Sequence, residues 1–159
     1  MKQLIAALIL VVLTALLAGC GGGGAGGADP GPTDNVALTV KALGTPATLY
    51  GVQFKVALPD GVILATQPSG ELASGVVVLS AGASGASLVT TYNRATAPQT
   101  LSVSLISGTG FPSGDMVTVA VSVPVATTVQ ADSFVFSEFA AYTDFTGSPA
   151  AVTGSISIP

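Results

Sequence analysis

Histidine and tryptophan are both missing from this sequence of 159 residues, and cysteine occurs only once. Without imidazole the chain lacks the usual general base and every catalytic triad built on histidine. One cysteine cannot form an internal disulfide, and without histidine it cannot complete a zinc site. Four basic residues against eight acidic ones provide no basic surface for a nucleic acid. We therefore expect a non-enzymatic protein with no cofactor, no metal site and no nucleic-acid partner.

The acidic residues do not follow a catalytic or metal-binding pattern. Asp60, Asp115 and Asp144 lie in turn-like strings, where an aspartate side chain typically accepts backbone hydrogen bonds. Asp132 and Asp144 supply the oxygen ligands that calcium prefers, but no alternating aspartate spacing supports a calcium site. Glu138 lies within an apolar strand pattern, either as a solvated residue or as a contact on a binding face. A glycosidase would need two carboxylates facing each other across the sugar.

Residues 1–19 are predicted to be a signal peptide rather than part of the fold. Lys2 is followed by an apolar segment at residues 4–18, interrupted only by Thr14. As a helix this segment would span about 22 Å, which is less than the roughly 30 Å hydrocarbon core of a bilayer. A short apolar segment between a basic start and small residues is typical of a secretory signal.

The following residues, Leu17-Ala18-Gly19-Cys20, resemble the lipobox of bacterial lipoproteins. The resemblance implies that Cys20 becomes the first residue of the mature chain and carries a diacylglycerol, often with an N-acyl chain such as palmitate. Two or three acyl chains hold a protein stably on a bilayer, whereas one gives only marginal binding. Gly21, where an inner-membrane lipoprotein tends to have aspartate, implies the outer membrane if the source is Gram-negative. An ordinary signal peptide or an uncleaved anchor, with an incidental thiol, is the alternative.

Residues 20–35 are predicted to form the lipidated cysteine and a flexible tether. The segment at 21–35 reads GGGGAGGADPGPTDN and contains no side chain suited to a core. A Gly-rich chain of this length has a root-mean-square span of about 20 Å. The glycines do not make a phosphate-binding loop, because no strand precedes them and no Lys-Ser/Thr pair with a helix follows.

Residues 36–159 are predicted to form one all-β domain. Apolar residues alternate with polar ones, as in the segments at 52–58, 101–105 and 117–123. Alternation of period two indicates strands with one buried and one solvated face, so two sheets must pack together. Turn strings such as Pro59-Asp60-Gly61 separate the strands. The nine predicted strands cover approximately 36–42, 49–58, 62–65, 75–81, 86–93, 99–107, 115–123, 132–142 and 152–158.

Several of these segments resemble cohesin domains. The resemblance lies in YGVQFKV and LPDGV at 50–56 and 58–62, GFPSGDMVTV at 110–119, DSFVFSEFAAYTD at 132–144, and Gly147 with GSISI at 154–158. Cohesins and the related carbohydrate-binding modules are nine-stranded jelly-roll sandwiches, so the resemblance implies a jelly-roll-like β-sandwich of two packed antiparallel sheets. An immunoglobulin-like sandwich is the competing fold, and neither fold fixes a function.

Three functions compete for this chain. The resemblance implies a lipid-anchored interaction module with a dockerin-like or other envelope protein as partner, and edge strands without lysine or glutamate favour strand addition or self-association. The second function is a carbohydrate-binding lipoprotein, in which Tyr50, Tyr92 or Tyr142 would contact polysaccharide. The third is a structural subunit of an envelope complex. Phe111, beside a Gly-Pro turn, is expected to close one end of the sandwich.

Overall fold

The computed structural model of the protein describes residues 33–44, 48–125, 127–147 and 150–158. The predicted signal peptide at 1–19, the predicted lipid-attachment residue Cys20 and most of the tether predicted at 20–35 lie outside these residues. Within the described ranges, no helix has both the length and the apolar character needed to cross a membrane.

The described chain is all-β, as the alternating pattern predicts. Two single-turn 3₁₀ helices, Ala81–Ala83 and Ala131–Ser133, interrupt the series of strands. The described residues form eight strands, and not the nine that were predicted. The strands are β1 (Thr33–Gly44), β2 (Thr48–Ala57), β3 (Val77–Leu79), β4 (Ser87–Asn93), β5 (Thr100–Pro112), β6 (Gly114–Pro124), β7 (Val135–Tyr142) and β8 (Val152–Ser157).

The strands form two antiparallel four-stranded sheets that pack face to face. The first sheet has the order β3-β6-β1-β8, and the second has the order β4-β5-β2-β7. The long central pairs are β1 with β6 and β2 with β5, and each pair brings together segments more than forty residues apart in sequence. Such long-range pairing is what a two-layer β-sandwich requires.

The core lies between the two sheets and follows the predicted alternation. Val52, Phe54 and Val56 of β2 are all buried, and so are the alternate residues of β5 and β6. Complete burial of an aliphatic or phenylalanine side chain contributes about 1.5–3 kcal/mol relative to exposure. Phe111 is also buried, at 3% exposure, and pairs with Leu49 near one end of the second sheet, which confirms its predicted place in the core.

The strand predicted at 62–65 is the one that the structure does not contain. The chain reverses at Gly61, whose φ of 81° favours glycine, and Val62 N donates to Pro59 O at 3.1 Å. Ile63 then forms a single bridge to Ser122 before the chain turns away towards a second bridge, Thr66 with Leu72. Val62 and Leu64 are buried, whereas Ile63 is half-buried and Ala65 is exposed. The alternation therefore reports which residues face the core in an irregular segment, and not a strand.

Four predicted strands also differ from the structure by two residues or more, and one of them is β7, which was predicted at 132–142 but begins at Val135 after the 3₁₀ helix Ala131–Ser133. The strand predicted at 75–81 is only three residues long, and β1 begins at Thr33 because residues 33–35 pair with the end of β6. The strand predicted at 99–107 continues to Pro112. The hydroxyl oxygen of Ser107 accepts a hydrogen bond from Gly110 N at 3.0 Å, which holds the irregular turn in the middle of β5.

A β-bulge in β7 places two phenylalanine rings on the same side of the second sheet. Lys55 of β2 pairs with Ser137, whereas Gln53 pairs with Ala140, so β7 contains one extra residue between these pairs. Glu138 lies in that bulge with a left-handed φ of 52°. Phe136 and Phe139 therefore both pack against the core, with their ring centres 5.7 Å apart, although a spacing of three would place them on opposite faces of a regular strand.

Candidate functional site

The candidate functional site is the outer face of the second sheet, formed by the outward-pointing residues of β2, β4, β5 and β7. Its centre is a row of polar side chains that crosses all four strands. Lys55 pairs with Ser102 on one side and with Ser137 on the other, and Ser102 pairs with Thr91. Side chains at paired positions of antiparallel strands lie about 4.5–5.5 Å apart. The row therefore presents a continuous line of three hydroxyl groups and one ammonium group.

Lys55 and Glu138 carry the only charges on the four strands of this sheet, all of which the structure describes. Lys55 Nζ lies 2.7 Å from both carboxylate oxygens of Glu138. The two side chains are 41% and 64% exposed, so water screens their attraction and the pair adds well under 1 kcal/mol to stability. The important effect is on the surface, because the two charges cancel and leave the face close to neutral.

One end of the face is more apolar than its centre. Gly51 pairs with Ile106 and with Tyr142, and a Cβ atom at Gly51 would lie 3.4 Å from the Tyr142 ring. Ile106 is 56% exposed, and Gln53 Nε2 donates to Tyr142 Oη at 3.4 Å. This end combines exposed hydrocarbon with hydrogen-bonding groups.

The face is shallow and open. A depression of about 120 Å³ lies between β2 and β5 and reaches Glu138. A longer groove of about 550 Å³ runs from the Lys55–Glu138 pair across Ser102 and Thr91 to the loop at 96–98. Small-molecule sites are typically enclosed and largely apolar. A shallow polar groove on a flat sheet instead suits an extended polymer or the surface of another protein.

The structure separates the acidic residues that were considered for catalysis or calcium. Asp115 forms an ion pair with Lys41 at 3.1 Å on the outer face of the first sheet. Asp144 Oδ1 accepts hydrogen bonds from the backbone and hydroxyl of Thr146, both at 2.9 Å, as predicted for a turn residue. Asp132 lies in a 3₁₀ helix. In the part of the chain that the structure describes, no three acidic or cysteine side chains lie close enough together to hold a metal ion.

The three tyrosines have different environments. Tyr92 faces inward, where its hydroxyl donates to Gln99 Oε1 and lies 3.4 Å from Leu64 N, so it is not available for stacking on a sugar. Tyr50 packs against Phe145 with ring centres 5.0 Å apart, and Phe145 is 70% exposed. Tyr142 lies on the outer face of the second sheet.

Sequence reasoning missed the ion pair at the centre of this face. Lys55 and Glu138 are 83 residues apart, and only the bulge in β7 brings their charges together. A local signal was present, because Phe136 and Phe139 break the period of two on either side of Glu138.

Comparison with known proteins gives no match to a protein-family model, to a curated protein or to a solved structure.

Proposed function

We propose that this chain is a lipid-anchored, non-catalytic interaction module on the extracytoplasmic side of a bacterial membrane. Its domain docks another envelope or surface protein, or associates with copies of itself. The observation that carries the proposal is the near-neutral, polar and shallow outer face of the second sheet, where the only two charges neutralise each other.

The chemistry of this face suits a protein partner. Serine and threonine hydroxyls both donate and accept hydrogen bonds. Short side chains also lose little conformational entropy when a partner covers them, compared with lysine, glutamate or arginine. The exposed Ile106 and the ring of Tyr142 add apolar area at one end. A partner surface with complementary hydroxyl, amide and aliphatic groups would therefore bind without displacing many ordered side chains.

The proposed partner follows from the sequence resemblance to cohesins, which favours a dockerin-like protein or another envelope protein. The two packed antiparallel sheets are compatible with that resemblance. The proposed location is the outer membrane if the source is Gram-negative, with the acyl chains on Cys20 as the anchor.

Photo-crosslinking in cells tests the docking face. A photoreactive amino acid at Ser102, on the central strand β5, should capture a protein neighbour that mass spectrometry identifies. The matched control is Thr118, a half-buried hydroxyl residue on the central strand β6 with its side chain on the outer face of the other sheet. Equal capture at both positions, or capture only at Thr118, would contradict the proposed face.

Carbohydrate binding is the second candidate, because Tyr50, Tyr142 and the exposed Phe145 lie near the same end of β2. Aromatic rings can stack on sugar rings, and Gln53 beside Tyr142 would supply a hydrogen bond. A polysaccharide pull-down with the full chain and the Tyr142→Ala variant tests this candidate. Tight binding that the substitution abolishes would favour carbohydrate over a protein partner.

The proposed anchor has its own test. A Cys20→Ser variant, or treatment of the cells with globomycin, should leave an unprocessed and unlipidated precursor. Normal maturation of the variant would contradict the lipoprotein assignment and would leave the docking proposal to be judged separately.

A further inference from the structure

The four edge strands of the sandwich differ in how they are protected against pairing with another chain. In the first sheet, β3 has only three residues, and β8 contains Gly154 near its middle. In the second sheet, β7 carries the charged bulge residue Glu138. Short edges, bulges and charged residues are the usual protections, and an interior glycine weakens a strand.

Strand β4 has none of these protections. Its sequence, SLVTTYN, contains no charged residue, proline or glycine. All seven residues pair with β5 in an unbroken register, so the strand is regular. Among the described residues, no backbone hydrogen bond joins the other side of β4 to another segment. An open groove of about 540 Å³ lies between residues 90–92 of β4 and the turn at 69–72, which carries Glu71.

We propose that β4 pairs antiparallel with β4 of a second copy of this chain, so that the two second sheets become one sheet of eight strands. The proposal rests on the proposed function only in treating the domain as a protein-binding module. It uses the edge of the second sheet, whereas the docking of a different protein uses the outer face.

The sequence of β4 is complementary to itself when a twofold axis passes beside Thr90. Full overlap then pairs each residue with a partner on the same face, because antiparallel partners point the same way. On the outer face, Val89, which is 58% exposed, would lie opposite Thr91 of the other copy. On the inner face, the partly buried Leu88 and Tyr92 would face each other and extend the core. Aromatic–aliphatic and β-branched pairs stabilise antiparallel strands.

The charge of β4 itself does not oppose a second copy as the occupant. The chain has a formal charge of −4, so most contacts between two copies would bring like charges together. The paired β4 strands themselves would bring no like charges together, because β4 contains no Asp, Glu, Lys or Arg. Like charges at directly opposed positions would instead destabilise a strand pair.

The first test measures association of the full chain, extracted from membranes in a non-ionic detergent, by sedimentation velocity over a range of concentrations. We expect a dimer whose dissociation constant rises at least about tenfold in Val89→Lys, because two lysines would then lie about 7–8 Å apart diagonally across the junction. Val78→Lys is the matched control, since Val78 is 50% exposed with its side chain on the outer face of the first sheet, away from β4 and from the docking face. A wild-type chain that stays monomeric, or equal weakening in both variants, would overturn the proposal.

A disulfide trap provides the second test and does not depend on the stability of the lysine variant. Thr90→Cys would face its own copy across the axis, and paired residues of antiparallel strands have Cα separations of about 4.5–5.5 Å, within the range for a disulfide. We expect rapid covalent dimers on oxidation, but none in Val78→Cys, which is 50% exposed on the edge strand β3. Equal yields in the two variants would contradict β4 pairing. If crosslinking from Ser102 is unchanged in a variant that no longer dimerises, docking at the outer face does not depend on β4 pairing.

Discussion

Replacing Glu138 with glycine should stabilise the protein slightly, although the substitution removes an ion pair. The left-handed φ of 52° costs a residue with a Cβ atom roughly 1–2 kcal/mol. Glycine avoids that cost, but its greater conformational freedom in the unfolded chain lowers the free energy of unfolding by about 0.5–1 kcal/mol. The exposed pair with Lys55 contributes only about 0.3 kcal/mol. The expected net change is therefore a gain of about 0.2–0.7 kcal/mol in the free energy of unfolding.

Three control variants separate these contributions in urea unfolding experiments. Glu138→Ala loses the ion pair and keeps the backbone strain, so it should be slightly less stable than the wild type and about 0.5–1 kcal/mol less stable than Glu138→Gly. Lys55→Met should show the same small loss as Glu138→Ala. Ser137→Gly, one residue earlier in the strand and without a positive φ, should lose about 0.5–1 kcal/mol. If glycine destabilises positions 137 and 138 equally, the strained bulge is refuted.

Three further substitutions test the packing and the polar contacts by thermal or urea unfolding. Gly154→Ala should destabilise the domain by about 2–3 kcal/mol, because the new methyl group would overlap the two phenylalanine rings of β7. The control Gly85→Ala has open space around the new methyl group and should be neutral or slightly stabilising. Equal effects of the two substitutions on stability would contradict the close packing at Gly154. Tyr92→Phe should cost about 1 kcal/mol through loss of its hydrogen bonds, and no loss would show that the hydroxyl is solvated. Asp115→Asn should change stability by less than about 0.5 kcal/mol, because its contact with Lys41 is exposed; a loss above 1 kcal/mol would contradict that view.

The strands that the sequence predicted well are those with an uninterrupted alternation. In β2, β5 and β6, apolar residues recur at every second position, and those residues line the core. The pattern is sufficient there because a residue's direction in a strand depends only on its position in a repeat of two. The segment at 62–65 shows the limit of this reasoning, since the burial of Val62 and Leu64 does not reveal whether the backbone finds a pairing partner over several residues.

The composition and the amino-terminal pattern predict an anchored, non-enzymatic protein by local chemistry alone, and the anchor, the lipidation at Cys20 and the non-enzymatic role stay predictions. The all-β architecture of two sheets also follows from the sequence, because alternation forces each strand to bury one side. Tertiary structure decided the order of the strands, the ion pair between Lys55 and Glu138, and the unprotected edge at β4. These features depend on which distant segments become neighbours, and on a one-residue shift in register that reverses the direction of every side chain beyond it. Local spacing along the chain carries no record of which segments become neighbours, and it marks the shift only through the spacing of Phe136 and Phe139.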